Sequence, residues 1–272
     1  MANKKEIVEE VTEEVKDDTK SEERYGFDEN KRIVRLEDKG DPKPRATKYR
    51  VGAVLLWIAA IFFEVLGILR LVGKLSWFPN MNTLTFVILA LVLDLACFIP
   101  ATLLWKKSNR IDPASEKDPV KFWLHNNLGL ILSILAFLPI IIFILSNKDL
   151  DKKDKTILAT IAIIFLAIAG LTGYEWHPYS AEQLAQAEKE AQAVAIDTDA
   201  NGNALVYWAP VAGKKYHVNK DCPALKIANE VKAGTVKQAF EAKLTDPCRR
   251  CIPELHDEDD GHDHDHTNEI SE

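Results

Sequence analysis

The sequences Val87-Ile-Leu-Ala-Leu-Val-Leu93 and Leu138-Pro-Ile-Ile-Ile-Phe-Ile-Leu145 decide the fold of this chain, because neither offers a polar face. A buried helix of a soluble protein keeps polar residues at helical spacing on the side that meets water. A helix that crosses a bilayer needs about 20 predominantly apolar residues and no such face. These stretches therefore predict membrane-spanning helices.

Four apolar runs meet or approach the length of a membrane span, and the chain on either side of them contains no comparable run. The 47% of hydrophobic residues and the 28% of charged residues are thus segregated along the 272-residue chain. This pattern predicts an α-helical polytopic membrane protein with four spans and a small C-terminal α+β zinc module, built from a β-hairpin and a helix. The predicted spans are 51–73, 83–105, 123–146 and 156–173.

The composition outside the spans predicts the domain organisation. Residues 1–30 hold 11 acidic and 5 basic side chains, which is typical of a disordered segment. Ser180 and Gln183 form a capping box that opens an Ala- and Glu-rich helix, interpreted as a solvated spacer. The predicted regions are an acidic disordered N-terminal region (1–48), a four-helix transmembrane domain (49–173), a helical linker (174–202), the zinc module (203–254) and an acidic His-rich tail (255–272).

The distribution of lysine and arginine predicts the orientation in the cell membrane. With four spans, both termini lie on one side, and 14 basic residues flank the spans there, against 5 on the other side. Basic residues are enriched in the cytoplasmic flanks of membrane helices. We therefore expect a multi-pass membrane protein with cytoplasmic N- and C-termini.

Two acidic residues fall inside the predicted spans, Glu64 in the first and Asp94 in the second. Ionisable groups are costly in hydrocarbon and by default suggest a functional site, here a path for protons or cations. The alternative is a polar contact between helices in which at least one carboxyl group is neutral. The sequence leaves both interpretations open.

The C-terminal region has the pattern of a small metal-binding fold. Residues 205–208 and 215–218 predict the two strands of a hairpin, and Thr235 with Gln238 forms a capping box for a helix ending near Leu244. The predicted core is small, and a metal cross-link would supply stability that so small a core cannot. Its predicted members are Val206, Tyr207, Trp208, Tyr216, Leu225, Phe240 and Leu244.

The candidate metal ligands are His217, Cys222, Cys248 and Cys251. One imidazole and three thiolates suit tetrahedral Zn²⁺, and the Cys-x-x-Cys spacing of Cys248 and Cys251 allows a tight turn to aim both sulfurs at one ion. A catalytic zinc keeps one position open beside three protein ligands, so four ligands indicate structural Zn²⁺. Two alternatives remain open: a redox-active Cys-x-x-Cys pair, and coincidence.

One pattern in this region consists of Val206-Tyr-Trp208, Gly213-Lys-Lys-Tyr-His217, Cys222-Pro-Ala-Leu225, Gly234-Thr-Val236, Ala239 and Pro247-Cys-Arg-Arg-Cys251. It resembles a small zinc-binding module found at the C-terminal ends of bacterial membrane proteins of unknown function, also appended to some secreted or competence-associated nucleases. The similarity to the metal-binding domain of the Ada DNA-repair protein is more distant. That domain has four Cys ligands, one of them a methyl acceptor, so methyl transfer is not implied for a site with His217.

The tail after residue 255 alternates His and Asp, with His262, His264 and His266 as possible ligands of divalent metals. A solvated acidic tail without metal is the alternative interpretation.

These features predict a non-enzymatic integral membrane protein whose zinc module binds a protein or nucleic-acid partner. The alternative is a metal-ion or proton transporter that uses Glu64 and Asp94, with the His-rich tail as a metal sensor. The sequence shows no Gly-rich phosphate loop, no His-Glu-x-x-His helix and no Ser, His and Asp grouping on predicted loops, so an enzyme is the least favoured class.

Overall fold

The computed structural model describes most of the chain as two compact units. The helical unit lies within residues 40–183. The sheet unit combines described residues before residue 40 with those after residue 183. The described residues are 24–27, 33–36, 42–77, 79–199, 201–211 and 213–252.

Within its described residues the helical unit forms five helices, and four of them are long and apolar enough to cross a membrane. The prediction of four spans is therefore confirmed by length and composition. The helices are α1 (Pro42–Leu71), α2 (Thr83–Ile111), α3 (Pro119–Asn126), α4 (Leu128–Ser146) and α5 (Lys152–Gly173). The four candidate spans are α1, α2, α4 and α5, and the exception is the short α3.

The four long helices bury small side chains and expose large apolar ones. Ala53 and Ala101 are fully buried, which lets neighbouring helix backbones approach closely. Leu55, Leu135 and Leu171 are each more than 60% exposed on the outside of the unit. Apolar side chains on both the inner and the outer surfaces are what a bilayer requires of a helical bundle.

The predicted third span, 123–146, is wrong at its start, because the structure breaks the chain there into two helices. The side chain of Asp118 accepts a hydrogen bond from the backbone N–H of Lys121 and opens α3. Asn127 ends α3 and precedes α4. Its backbone N–H at 2.9 Å and its side-chain amide at 3.1 Å both donate to the carbonyl oxygen of Trp123 at the end of α3.

The first and fourth spans begin earlier than predicted, at Pro42 and Lys152. The domain boundary predicted at residue 49 therefore falls inside α1. The apolar pattern identifies only the part of a helix that meets lipid, whereas backbone hydrogen bonding continues into the charged turns beyond it.

The sheet unit contains a mixed four-stranded sheet and a two-stranded one. The strands are β1 (Arg24–Phe27), β2 (Ile33–Leu36), β3 (Val206–Trp208), β4 (Lys215–Tyr216), β5 (Glu230–Gly234) and β6 (Asp246–Pro247). The larger sheet has the order β1-β2-β5-β3, in which β2 runs parallel to β5 while the β1–β2 and β3–β5 pairs are antiparallel. In the smaller sheet β4 runs parallel to β6.

Two predictions concern this unit. Most of the N-terminal region 1–48, predicted to be disordered, lies outside the described residues, and its described segments Arg24–Phe27 and Ile33–Leu36 form β1 and β2. The predicted hairpin is reduced to one bridge between Tyr207 and His217, since β3 pairs along its length with β5. The sequence analysis did not identify β5.

The predicted linker helix is α6 (Ala181–Val194), and its predicted capping box is present. Its interpretation as a solvated spacer is wrong, because Leu184, Ala187 and Ala191 are buried. The side chain of Gln192 accepts the backbone N–H of Ala204 at 2.8 Å and donates to the carbonyl oxygen of Gly202 at 3.2 Å. The C-terminal part of α6 thus belongs to the sheet unit.

The predicted core of the module is confirmed, because all seven of its predicted members are buried. The second capping box is also confirmed, and it opens α7 (Val236–Glu241). This helix ends before the predicted residue 244, since Lys243 adopts a positive φ of 69° that a helix does not allow.

Candidate metal centre

His217 is positioned by its pairing with β3. Its backbone N–H donates to the carbonyl oxygen of Tyr207 at 2.8 Å, and its own carbonyl oxygen accepts the Tyr207 N–H at 2.7 Å. The hydroxyl of Tyr207 donates to the carboxylate of Asp197 at 2.8 Å. His217 is therefore held by backbone hydrogen bonds to Tyr207, whose own side chain is fixed by Asp197.

Cys222 lies in a tight loop that follows β4. The side chain of Asn219 accepts the Asp221 backbone N–H at 2.8 Å, and the Asn219 carbonyl oxygen accepts the Cys222 N–H at 3.2 Å. The Cys222 carbonyl oxygen accepts the N–H of Leu225, a side chain only 1% exposed. The buried Leu225 thus anchors the loop that presents the thiol.

Cys248 and Cys251 lie on a turn directly after β6. The Cys248 backbone N–H donates to the carbonyl oxygen of Tyr216 at 2.9 Å, which continues the β4–β6 pairing up to the first thiol. The Cys248 carbonyl oxygen then accepts the N–H groups of Cys251 at 2.9 Å and of Ile252 at 3.1 Å. This turn directs both sulfurs to the same side, as the Cys-x-x-Cys spacing predicts.

The structure brings all four predicted ligands together, with their ligand atoms within 4.8 Å of one another. The Sγ atoms of Cys222 and Cys248 are 4.0 Å apart, and Cys251 Sγ lies 3.6 Å from Nδ1 of His217. Tetrahedral Zn²⁺ with ordinary bond lengths places two sulfurs about 3.8 Å apart and a sulfur and a nitrogen about 3.6 Å apart. The group can therefore hold a metal ion such as zinc.

The surroundings of these side chains shift the pKa values of two of the candidate ligands. Burial lowers the pKa of His217, and the positive charge of Lys215 lowers it further. The imidazole is therefore kept in the neutral form that binds metals. Burial, and then the nearby Cys222 and Cys248, raise the pKa of the Cys251 thiol. A divalent cation at the centre would reverse this effect by stabilising the thiolates. In the structure all four cysteines of the chain, Cys97 included, are free thiols.

Glu64 and Asp94 are both buried in the helical unit, 5% and 0% exposed, and lie close enough to interact electrostatically. The Oε1 atom of Glu64 and both carboxylate oxygens of Asp94 have no hydrogen-bond partner among the described residues. Arg70 does not pair with them, because its guanidinium donates to carbonyl oxygens of residues 75–81.

Two supporting features were not identified from the sequence. Asp197 falls within the predicted helical linker 174–202, although its carboxylate accepts a hydrogen bond from Tyr207. Strand β5 supplies the main partner of β3. Both depend on contacts between distant parts of the chain, for which the local sequence carries no signal. The predicted ligands His262, His264 and His266 lie outside the described residues.

No protein family, curated protein or solved structure matches this chain, so the resemblance to small zinc-binding modules rests on the quoted motifs alone.

Proposed function

We propose that this multi-pass membrane protein is not an enzyme, and that its sheet unit, stabilised by one structural Zn²⁺, binds a partner at the cytoplasmic face of the membrane. The observation that supports this most strongly is the closed set of four protein ligands, His217, Cys222, Cys248 and Cys251.

The structural role of the metal follows from the number of ligands. A catalytic zinc normally has three protein ligands and a water molecule, whereas a fourth protein ligand leaves no position for substrate. Three of the four side chains are buried, and Cys251 is partly buried. The small core around them, including Leu225 and Tyr207, gains a cross-link between segments that are distant in sequence.

The binding role is supported by the surface of the unit. Residues 203–254 hold 9 basic and 5 acidic side chains. Arg249 and Arg250 are exposed between two ligands of the cluster, and the apolar side chain of Ile227 is 90% exposed. Exposed cations suit an anionic partner, either a nucleic acid or an acidic protein surface, and an exposed apolar side chain on the same unit can add to the contact.

The test uses the full chain in nanodiscs of zwitterionic lipid. Labelled single- and double-stranded oligonucleotides are titrated by anisotropy, and protein partners are captured by cross-linking in cells. The double variant Arg249→Glu, Arg250→Glu should lose the interaction, because both changes reverse charge on one exposed turn. The matched control is Lys152→Glu, Lys153→Glu, which reverses two adjacent exposed cations at the start of α5. Equal binding by the two variants would refute the proposal, and so would the absence of any partner in both the oligonucleotide titration and the cross-linking experiment.

A second candidate function is proton or metal-ion transport. The specific observation that favours it is the buried position of Asp94, whose two carboxylate oxygens lack partners among the described residues. Proteoliposomes containing the wild-type chain should then show a flux that Glu64→Gln and Asp94→Asn abolish. Equal proton and metal fluxes for the wild type, both variants and empty liposomes would eliminate this candidate.

A further inference from the structure

A cavity of about 400 Å³ opens beside the first turns of α1 and the chain between α2 and α4. This volume is within the range of small-molecule sites, roughly 300–1,000 Å³. The cavity belongs entirely to the helical unit and is separate from the metal centre. Its charged and titratable lining residues are Arg50, Asp112, Lys117, Asp118, Lys121 and His125.

Two nitrogen atoms of the lining residues, Nε of Arg50 and Nε2 of His125, are buried. Neither has a hydrogen-bond partner within the described chain. The rest of the Arg50 guanidinium is fixed, because its Nη2 atom lies 3.1 Å from both the carbonyl oxygen and a carboxylate oxygen of Asp112. Burial has the largest effect on the pKa of His125 and lowers it, and the positive charge of Arg50 lowers it further. A neutral imidazole keeps one N–H to donate.

The remaining charges of the lining leave an excess of cations. Asp112 is paired with Arg50, and Asp118 accepts the Lys121 backbone N–H as the cap of α3. Lys117 and Lys121 are exposed, and neither ammonium group forms an ion pair with an acid in the described ranges. The lining therefore carries the three cations Arg50, Lys117 and Lys121 against the two carboxylates of Asp112 and Asp118, and Lys117 also interacts electrostatically with Glu182.

The apolar surface of α3 indicates the depth of this cavity in the membrane. Val120, Trp123 and Leu124 are 69%, 47% and 44% exposed, and they alternate with Lys121 and His125 along the same short helix. An exposed tryptophan with apolar neighbours beside basic residues is typical of the interface between headgroups and hydrocarbon. Lipid phosphates occupy that depth.

The geometry points to a phosphate-binding site in this cavity, with the phosphate oxygens accepting N–H groups of Arg50 and His125 and facing Lys117 and Lys121. Charge-assisted hydrogen bonds of this kind are shorter and stronger than neutral ones. The phosphate is supplied by the headgroup of an anionic lipid or by a soluble phosphate ester. Basic pockets between membrane helices bind lipid headgroups by the same chemistry.

The test measures lipid and phosphate binding to the full-length protein. Native mass spectrometry counts phosphatidylglycerol molecules retained by the detergent-purified chain against phosphatidylcholine. Thermal unfolding is followed in parallel with inorganic phosphate and with glycerol phosphate. The variant Lys117→Gln, Lys121→Gln removes the two exposed cations without disturbing the Arg50–Asp112 pair. The control Lys148→Gln, Lys152→Gln removes one lysine between α4 and α5 and one at the start of α5.

The wild type and the control should retain phosphatidylglycerol, and the double variant should bind it more weakly by about fivefold for each lysine removed. His125→Gln should weaken binding further, because the ring N–H is lost. The change is conservative, since glutamine keeps a polar group of similar reach. Stabilisation by inorganic or glycerol phosphate, without retained lipid, would assign the site to a soluble ester. Equal retention by the double variant and the control, or no response to lipid and phosphate, would overturn the proposal.

Discussion

Gly129 and Gly173 meet backbone to backbone where α4 begins and α5 ends. A Cβ atom added to Gly173 would lie 2.5 Å from the carbonyl carbon of Gly129, and one added to Gly129 would lie 3.1 Å from Cα of Gly173. No other residue type allows this approach, because the obstructing atoms belong to the backbone and cannot rotate away.

Replacing Gly173 by alanine should therefore force α4 and α5 apart. Overpacking a tight contact costs about 1–3 kcal/mol, and the loss should appear as a lower unfolding midpoint in a mixed-micelle titration with a denaturing detergent. The matched control is Gly52→Ala in α1, where the nearest atom to the new methyl group is a Leu104 side-chain carbon at 3.4 Å. Equal midpoints for the two variants would show that the glycine contact does not limit the packing.

Replacing Cys248 by serine should abolish zinc binding. The purified wild type should carry one Zn²⁺ per chain by elemental analysis. Because zinc supplies about 10–16 kcal/mol of apparent binding energy to small domains, its loss should unfold the region around β3 and raise amide exchange at Val206–Trp208. Cys97→Ser is the control, since Cys97 lies in α2, outside the cluster. Zinc retained by the Cys248 variant at the control level would contradict the proposed centre.

The sequence alone predicts the spans and the ligand set well, for related reasons. Apolar runs such as residues 87–93 must be long to cross a bilayer, so they are visible without knowledge of contacts. His217, Cys222, Cys248 and Cys251 are visible because few chemistries require those residue types at that spacing.

What the sequence does not reveal depends on pairing between distant segments. β2 joins the sheet by running parallel to β5, about two hundred residues later in the chain, and nothing in Ile33–Leu36 specifies that partner. α6 appears solvated because its buried positions are mostly alanine. Alanine contributes little to an apolar pattern, although it packs closely in the structure.

Replacing Leu184 by alanine tests whether α6 is a structural part of the sheet unit. Leu184 is 6% exposed, and truncating a buried leucine costs about 2–5 kcal/mol. Gln192→Ala should destabilise less, since it removes two hydrogen bonds worth about 1 kcal/mol each. Both changes should raise amide exchange at Ala204 and β3. Gln186→Ala is the control, because that side chain is exposed and bonds only to Glu190 among the described residues. A solvated spacer would tolerate all three changes equally.

Acidification should release the contact between Ser115 and Glu182. The Ser115 hydroxyl donates to one carboxylate oxygen, and the backbone N–H of Glu116 donates to the other at 2.9 Å. Both hydrogen bonds lower the pKa of Glu182, and the one from Ser115 has the larger effect. A depressed pKa in the folded state means that the stabilisation is present above the unfolded pKa and is lost as pH falls through the folded value.

Ser115→Ala should therefore raise the titration midpoint of Glu182 toward that of an ordinary glutamate, and Ser115→Thr should restore it by returning the hydroxyl. The midpoint is measured from the carboxyl carbon resonance of ¹³C-labelled protein, assigned by its absence in Glu182→Gln. An unchanged midpoint in Ser115→Ala would exclude the hydrogen bond as the cause of the shift.

The distribution of basic residues predicts the orientation of the spans, and two introduced cysteines can test it. In a background in which Cys97, Cys222, Cys248 and Cys251 are all replaced by serine, Lys153→Cys places a thiol in the first turn of α5. Glu116→Cys places one between α2 and α3, at the opposite end of the spans. Basic flanks stay in the cytoplasm, so a membrane-impermeant maleimide should label residue 153 in intact cells and residue 116 only after permeabilisation. The reversed pattern would place the metal centre outside the cytoplasm, where the three thiols around His217 would be exposed to disulfide-forming conditions.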